Sequence, residues 1–309
     1  MKIINDTLDF WIPENSAVTM GKFDGIHKGH QKLMKKILGG KKQGLKSVVF
    51  TFGQMPGTVF LGNKVRTILT KRERRQHLKN MGIDYMIECP FVTQIIQMEP
   101  ERFIEEILVN QLHAKYIAVG PDFHYGHNRR GDAELLKSLS HVYGYETEIV
   151  EKECLENREI SSTYVRQMLE IGNMEKVEKL LGYPYYVSGT VVHGHEIGRT
   201  LGLPTTNILP DDEKMLPPNG VYLTKTIFGP QELFGITNIG VKPTISGEEA
   251  KGIETHLFGF EGDLYDQDLI VEFYAFERPE QRFDSLDALQ KQLQRDVRWG
   301  EEIIKNRNV

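Results

Sequence analysis

Residues able to do chemistry gather in three places along this 309-residue sequence. The first is Gly21-Lys22-Phe23-Asp24-Gly25-Ile26-His27-Lys28-Gly29-His30, which stands between a short apolar run and a helical pattern. Gly21, Gly25 and Gly29 allow backbone to approach a phosphate without a Cβ in the way, and a helix start offers unpaired N–H groups with partial positive charge. His27 and His30 add donors for phosphoryl oxygens as charge builds in a transition state, and Lys28 adds a full charge. The plainer reading is a glycine-rich turn with two solvated histidines. Zinc is a third reading, disfavoured because no further ligands stand nearby.

The second place is Ile160-Ser161-Ser162-Thr163-Tyr164-Val165-Arg166. Hydroxyls at a helix start accept from the helix's own N–H groups or donate to phosphate, and Arg166 one turn later can clamp a second oxygen. Alone, such a serine pair is an ordinary cap. The third place runs over residues 189–207. Gly194 and Gly198 permit a tight loop over phosphates, although this spacing by itself often marks only a turn. Thr205 and Asn207 offer neutral oxygens on alternate positions of an extended segment, so both point the same way, as a Mg2+ ion bridging nucleotide phosphates requires, although by itself such a segment is more often a capped turn.

The elements around these residues divide the chain in two. From residue 17 to about 182, apolar runs at 17–20, 47–52, 85–88 and 116–119 alternate with helical patterns, as in a doubly wound parallel α/β sheet. Leu33, Met34, Ile37 and Leu38 share one helical face, as do Phe103, Ile104, Ile107 and Leu108. Helices over 161–172 and 173–182 close this half. Afterwards the pattern turns to alternating strands at 186–192, 221–227, 233–238, 254–260 and 269–276. These predict a small antiparallel barrel, followed by an amphipathic helix from Ser285. The expected domains are 1–182 and 183–309, and the length suits two domains of about 150 residues each.

Composition excludes several function classes. A formal charge of -5 leaves no footprint for nucleic acid. Cys89 and Cys154 stand far apart, which predicts a reducing compartment without disulfides or structural zinc. The N-terminus lacks the basic region and long apolar core of a signal peptide, and no run approaches the ~20 apolar residues of a membrane span. The expected location is the cytoplasm, with no membrane partner.

The GxFDGxHxGH string resembles the nucleotidyltransferase superfamily, and residues 160–166 resemble the ISSTxIR element of its bacterial FAD synthetase branch. Gly120-Pro121-Asp122-Phe123-His124-Tyr125-Gly126, followed by Arg130-Gly131-Asp132, is similar to that branch's GxDFxFGxxxxGD pattern. The resemblance implies a HUP-like sheet, Mg2+ rather than zinc, His27 and His30 as catalytic groups, and Asp122 and Phe123 at the flavin. It places Gly21, Phe23, Asp24, Gly25, Gly29, Ser161, Ser162, Thr163 and Arg166 at the nucleotide. One departure is Phe52-Gly53-Gln54-Met55-Pro56 where the family has FDPHP, which removes an acid and a histidine.

Residues 194–207 are similar to the GxxxGRxLGFPTAN motif of riboflavin kinases, with Leu203 for Phe and Thr206 for Ala. Gly220-Val221-Tyr222, Thr237-Asn238-Ile239-Gly240 and Pro243-Thr244 match further family segments, and Glu254-Thr255-His256-Leu257 resembles the strand that carries the catalytic carboxylate. The resemblance implies Glu254 as general base, Thr205 and Asn207 as Mg2+–nucleotide ligands, and Gly194, Gly198 and Arg199 at the nucleotide. Arg278, Glu280 and Phe283 echo a motif that frames the flavin pocket, while Gly259 replaces a usual Asp. Together the motifs resemble the prokaryotic-type bifunctional riboflavin kinase/FAD synthetase family. That family would use ATP to convert riboflavin to FMN and FMN to FAD. A chain that keeps one activity, most plausibly the kinase, and a flavin-sensing regulator are the alternatives.

Overall fold

The computed structural model describes residues 1–53, 66–193, 204–243 and 249–307. Backbone contacts divide the chain into two compact units, Met1–Ser162 and Thr163–Val309.

The first unit is built on six parallel strands: β1 (Lys2–Asn5), β2 (Ser16–Met20), β3 (Lys46–Phe52), β4 (Tyr85–Cys89), β5 (Ala114–Val119) and β6 (Glu146–Ile149). Their order in the sheet is β1-β4-β3-β2-β5-β6. All five residues of β2 are buried, as expected of a strand covered on both faces. The chain turns to opposite sides of β2 on reaching β3 and β5, so the carboxyl end of β2 is a topological switch point, where open α/β sheets bind ligands. Residues 21–30 leave the sheet there. Helix α1 (Lys28–Gly39) buries Leu33, Met34 and Ile37, the face that the periodicity predicts.

Strand β1 and the helix before β4 are among the elements of this unit that lie outside the sequence pattern. Edge strand β1 is short and mostly exposed, so it carries no apolar alternation. Helix α2 (Lys71–Asn80) is highly charged and buries only Glu73, Arg74 and Leu78. Its readable signal was the Thr70-x-x-Glu73 capping box: Thr70 Oγ1 accepts from the Glu73 amide at 3.2 Å and Glu73 Oε2 accepts from the Thr70 amide at 2.9 Å. The helix predicted around Phe103 is present and π-wound over Phe103–Gln111. Phe103, Ile104, Ile107 and Leu108 pack into one core with Val18, Val48, Ile87 and Ile117.

The second unit opens with α3 (Ser162–Glu170) and α4 (Met174–Leu181), which ends at Gly182 in the left-handed region, φ +81°. Six strands follow: β7 (Tyr185–Val192), β8 (Thr206–Ile208), β9 (Gly220–Phe228), β10 (Gln231–Pro243), β11 (Glu249–Leu257) and β12 (Asp268–Pro279). They close into an antiparallel barrel in the order β7-β8-β11-β10-β9-β12. Tyr185, Tyr222, Ile239, Ile253 and Phe273 are fully buried. α4 packs on β7 and β12, and the terminal helix α5 (Leu286–Arg307) packs on β10. The division between the units falls after the first residue of α3 and ahead of α4, whereas the division read from sequence falls where α4 stops.

Candidate functional sites

In the first unit, the loop after β2 is held in shape by its own glycines and polar groups. Phe23, Gly25 and Ile26 all have positive φ, at +49°, +82° and +36°. For Phe23 and Ile26 this is costly backbone that the surroundings must hold. Asp24 does part of that work: its Oδ1 accepts from the Ile68 amide at 2.8 Å, and its carbonyl accepts from Ser162 Oγ at 2.8 Å. A Cβ on Gly29 would stand 3.2 Å from the His27 ring, and one on Gly21 would stand 3.1 Å from the Phe23 ring. Glycine at these two places keeps the rings where they are.

His27 and His30 stack with ring centroids 3.7 Å apart and planes inclined by 21°. Burial pushes the His27 imidazole down to about 4. Burial, together with neighbouring His27, holds His30 well below the usual histidine range. Both rings are therefore neutral near pH 7, and the Nδ1 atom of each is buried without a hydrogen-bond partner. Two close imidazoles that lack protein partners are poised for an anion, which would raise both affinities for protons.

These rings line a cavity of about 880 Å3, together with Gly21, Phe23, Gly29, Asp122, Phe123, Ser161 and Ser162. Three motifs far apart in sequence thus meet on one wall. Asp24 and Gly25 lie outside that lining and shape the loop, and Lys28 is exposed. Thr163 and Arg166 fall in the second unit, where Arg166 Nη1 approaches Met215 Sδ at 3.7 Å. Sequence reading missed the aromatic part of the cavity, formed by Phe50, Phe52, Phe91, Phe103 and Tyr125, with Phe123 stacked on Tyr125 at 5.6 Å. It also missed Lys152, a lining residue whose Nζ reaches Glu159 at 2.8 Å and Asp122 at 3.3 Å.

In the barrel the site is built from strand register. Glu254 pairs with Asn207 across β8–β11 and with Asn238 across β10–β11. Thr205 Oγ1 donates to Glu254 Oε1 at 2.6 Å. Thr205 and Asn207 line a cavity of about 360 Å3 with Thr255, Glu261, Asp263 and Tyr265. On the opposite face of the same strands, Thr224, Thr237 and Thr255 join hydroxyls at 2.7 and 2.8 Å inside the barrel, which fixes β9, β10 and β11 in register. Arg278 is not on the wall of this cavity. Its Nε and Nη2 reach the fully buried Asp296 of α5 at 3.1 and 2.5 Å, and its guanidinium lies 6.0 Å from the Phe283 ring centre. Beside it, burial and the Asp296 charge push Glu277 up to about 7. Gly194, Gly198, Arg199, residues 54–56 and Thr244 lie outside the described residues.

Among the described residues no group of three or more His, Cys, Asp or Glu side chains is arranged to hold a metal, and no helix is long and apolar enough to cross a membrane. Comparison with known proteins covers both units. The FAD synthetase family matches residues 10–164, and the riboflavin kinase family matches residues 181–304. A bifunctional riboflavin kinase/FMN adenylyltransferase of Escherichia coli strain K12 is 38% identical over 92% of this chain and 91% of its own length. The protein of that name from Listeria monocytogenes is 32% identical over 94% of this chain and 93% of its own. A crystal structure titled as a macrolide-efflux protein from Streptococcus pneumoniae is 32% identical, with a TM-score of 0.86 over 97% of this chain and 98% of that one. With the HxGH cavity and the threonine–glutamate site each in its matching half, the chain belongs to the family of bifunctional riboflavin kinase/FMN adenylyltransferases.

Proposed function

We propose that the barrel phosphorylates riboflavin to FMN with ATP, and that the parallel-sheet unit joins FMN to the AMP moiety of a second ATP, releasing pyrophosphate. The observation that carries this reading is the convergence of His27, His30, Asp122, Phe123, Ser161 and Ser162 on one cavity that has a polar part at the histidines and an aromatic part at Phe50, Phe52, Phe91 and Tyr125. A phosphate chain suits the first part and a flat heteroaromatic ring the second.

In the barrel, Glu254 accepts the proton of the ribityl 5′-hydroxyl as that oxygen attacks the γ-phosphorus of ATP and the bond to ADP breaks. Thr205 now occupies one carboxylate oxygen of Glu254, so the donor must turn away or share when substrate arrives. The neutral oxygens of Thr205 and Asn207 beside a carboxylate are a hard donor set that fits Mg2+. Held there by Thr205 and Asn207, Mg2+ would offset the negative charge of the nucleotide phosphates. In the sheet unit a phosphate oxygen of FMN attacks the α-phosphorus of ATP. The neutral imidazoles of His27 and His30 donate to the phosphoryl oxygens, and Ser161 and Ser162 flank them at the start of α3. Both reactions belong to the cytoplasm, a reading that the two unpaired thiols Cys89 and Cys154 support.

The test is a time course with riboflavin, ATP and Mg2+, with products separated by chromatography. FMN should appear first and FAD after it. FMN without FAD would leave a kinase alone, and tight flavin binding without product would leave a sensor.

A further inference from the structure

Beneath the loop that carries His27 and His30 lies a charged cluster that neither reaction uses directly. Arg74, on α2, is 5% exposed. Its Nη2 donates to Glu88 Oε1 at 3.1 Å and its Nη1 donates to the Lys22 carbonyl at 3.3 Å. Glu88 sits 2% exposed near the end of β4 and also accepts from Arg75, through Nε at 3.1 Å and through Nη2. Thr51 Oγ1 reaches the same Lys22 carbonyl at 3.5 Å from the end of β3. Burying such charges brings little net stability, because desolvation offsets their attraction. What the cluster does secure is geometry, since it ties α2, the ends of β3 and β4, and the loop after β2 to one point.

That point is a peptide unit on the cavity wall. The Lys22 carbonyl belongs to the peptide joining Lys22 to Phe23, both cavity-lining residues, and no peptide bond here is cis. In a planar trans unit the C=O and the following N–H point in opposite directions. Holding the carbonyl on Arg74 therefore fixes the Phe23 N–H on the far side. Among the described residues that N–H has no hydrogen-bond partner, and Phe23 itself is strained at φ +49°. A strained residue with an unspent donor beside two unpartnered imidazoles is a site arranged for an anion.

We propose that Arg74 is a positioning residue for nucleotidyl transfer: acting through the Lys22 carbonyl, it sets the Lys22–Phe23 peptide so that the Phe23 N–H meets the phosphate chain of the bound triphosphate. Glu88 holds the guanidinium in that orientation, and Arg75 neutralises the second oxygen of Glu88. The inference rests on the adenylyltransfer reading of this cavity.

The test uses the full chain with Arg74→Met, Arg74→Lys and Glu88→Gln. For Arg74→Met, kcat/KM for FAD formation from FMN should fall about 10- to 100-fold, with a higher KM for ATP and an unchanged KM for FMN. Riboflavin phosphorylation by the same preparation should stay within about twofold of the parent, because the barrel does not use Arg74. Arg74→Lys keeps one donor for the carbonyl and should recover part of the loss. Without any substrate, the imidazole NMR signals of His27 and His30 should move in Arg74→Met. An unchanged KM for ATP with unmoved imidazole signals would overturn the proposal, as would an equal decline of both reactions. Should Arg74→Met not fold, Arg74→Lys and Glu88→Gln decide it by the same two readouts, each expected to raise KM for ATP. Should the parent chain form no FAD, the adenylyltransfer reading fails, while the imidazole comparison still decides the role of Arg74.

Discussion

In the parallel-sheet unit the reactive groups stand on loops that leave three different strands, whereas in the barrel they stand within or beside neighbouring strands. The loop site draws Gly21, Phe123 and Ser161 from a span of about a hundred and forty residues and needs backbone strain at Phe23 and Ile26 to shape it. Among the described residues, Thr205, Asn207, Asn238 and Glu254 of the strand site carry no such strain. Register alone places Asn207, Glu254 and Asn238 in one row, and the buried threonine hydroxyls hold that register from the other face. A site carried on register should tolerate loop changes and fail when one functional side chain is lost. A site carried on a strained loop should also fail through residues that never touch the substrate.

The largest effect expected from this contrast is at Glu254. Glu254→Gln should lower riboflavin phosphorylation by roughly 1,000-fold, while conversion of supplied FMN to FAD proceeds as before. Intact phosphorylation in that variant would remove the base from the account. Next is His30→Ala, expected to lower FAD formation by about 100-fold and leave the kinase alone. A parallel loss of both reactions would show that the units do not act separately. Gly29→Ala is a smaller intrusion, because its new methyl stands 3.2 Å from the His27 ring and must displace it by a few tenths of an ångström. About a 10-fold loss of FAD formation is expected, with native-like melting.

The smallest effects sharpen the comparison through pH, since the units should respond with opposite sign. His27 is held down at about 4 against an ordinary 6.5, so the unfolded chain binds its proton first as pH falls. The sheet unit should therefore lose stability between about pH 6.5 and pH 4, by on the order of 3 kcal/mol from this residue. Glu277 is pushed up from 4.5 to about 7, so the folded barrel keeps a proton that the unfolded chain releases. The barrel should lose stability as pH rises through that window. Trp11 and Trp299 allow the two melts to be read apart in single-tryptophan variants, because one lies in each unit. His27→Gln should flatten the first slope and Glu277→Gln the second; slopes that survive these changes would assign the pH response to other groups.

Much of this contrast was legible in the residues. The buried strand before Gly21, the helical face of Leu33, Met34 and Ile37, and the alternation after Gly182 follow from periods of 3.6 and 2. Thr205 and Asn207 could be placed on one face because their spacing is two. Other features depend on which strands become neighbours, and no local pattern carries that. Phe52 and Phe91 come together because β3 lies beside β4, and Tyr125 joins them as a lining residue of the same cavity. The run Lys71-Arg72-Glu73-Arg74-Arg75 reads as a solvated helix face, yet Arg74 is buried against the Glu88 carboxylate at the end of β4 and Glu73 is buried where it caps the helix with Thr70. Asp24 lies inside a nucleotide motif, but its carboxylate is used on the Ile68 amide. Arg278 is likewise engaged by Asp296, which a helix beginning eight residues further on brings back to it.

The central claim is that two separate sites attack two different phosphorus atoms of ATP, and labelled ATP tests it most directly. With riboflavin, Mg2+ and the full chain, label at the γ-phosphorus should enter FMN and be carried into FAD. Label at the α-phosphorus should enter FAD alone, with one pyrophosphate released for each FAD formed. Absence of the α-label from every flavin product while γ-label accumulates in FMN would contradict the account of the loop site, and absence of the γ-label from FMN would contradict that of the barrel.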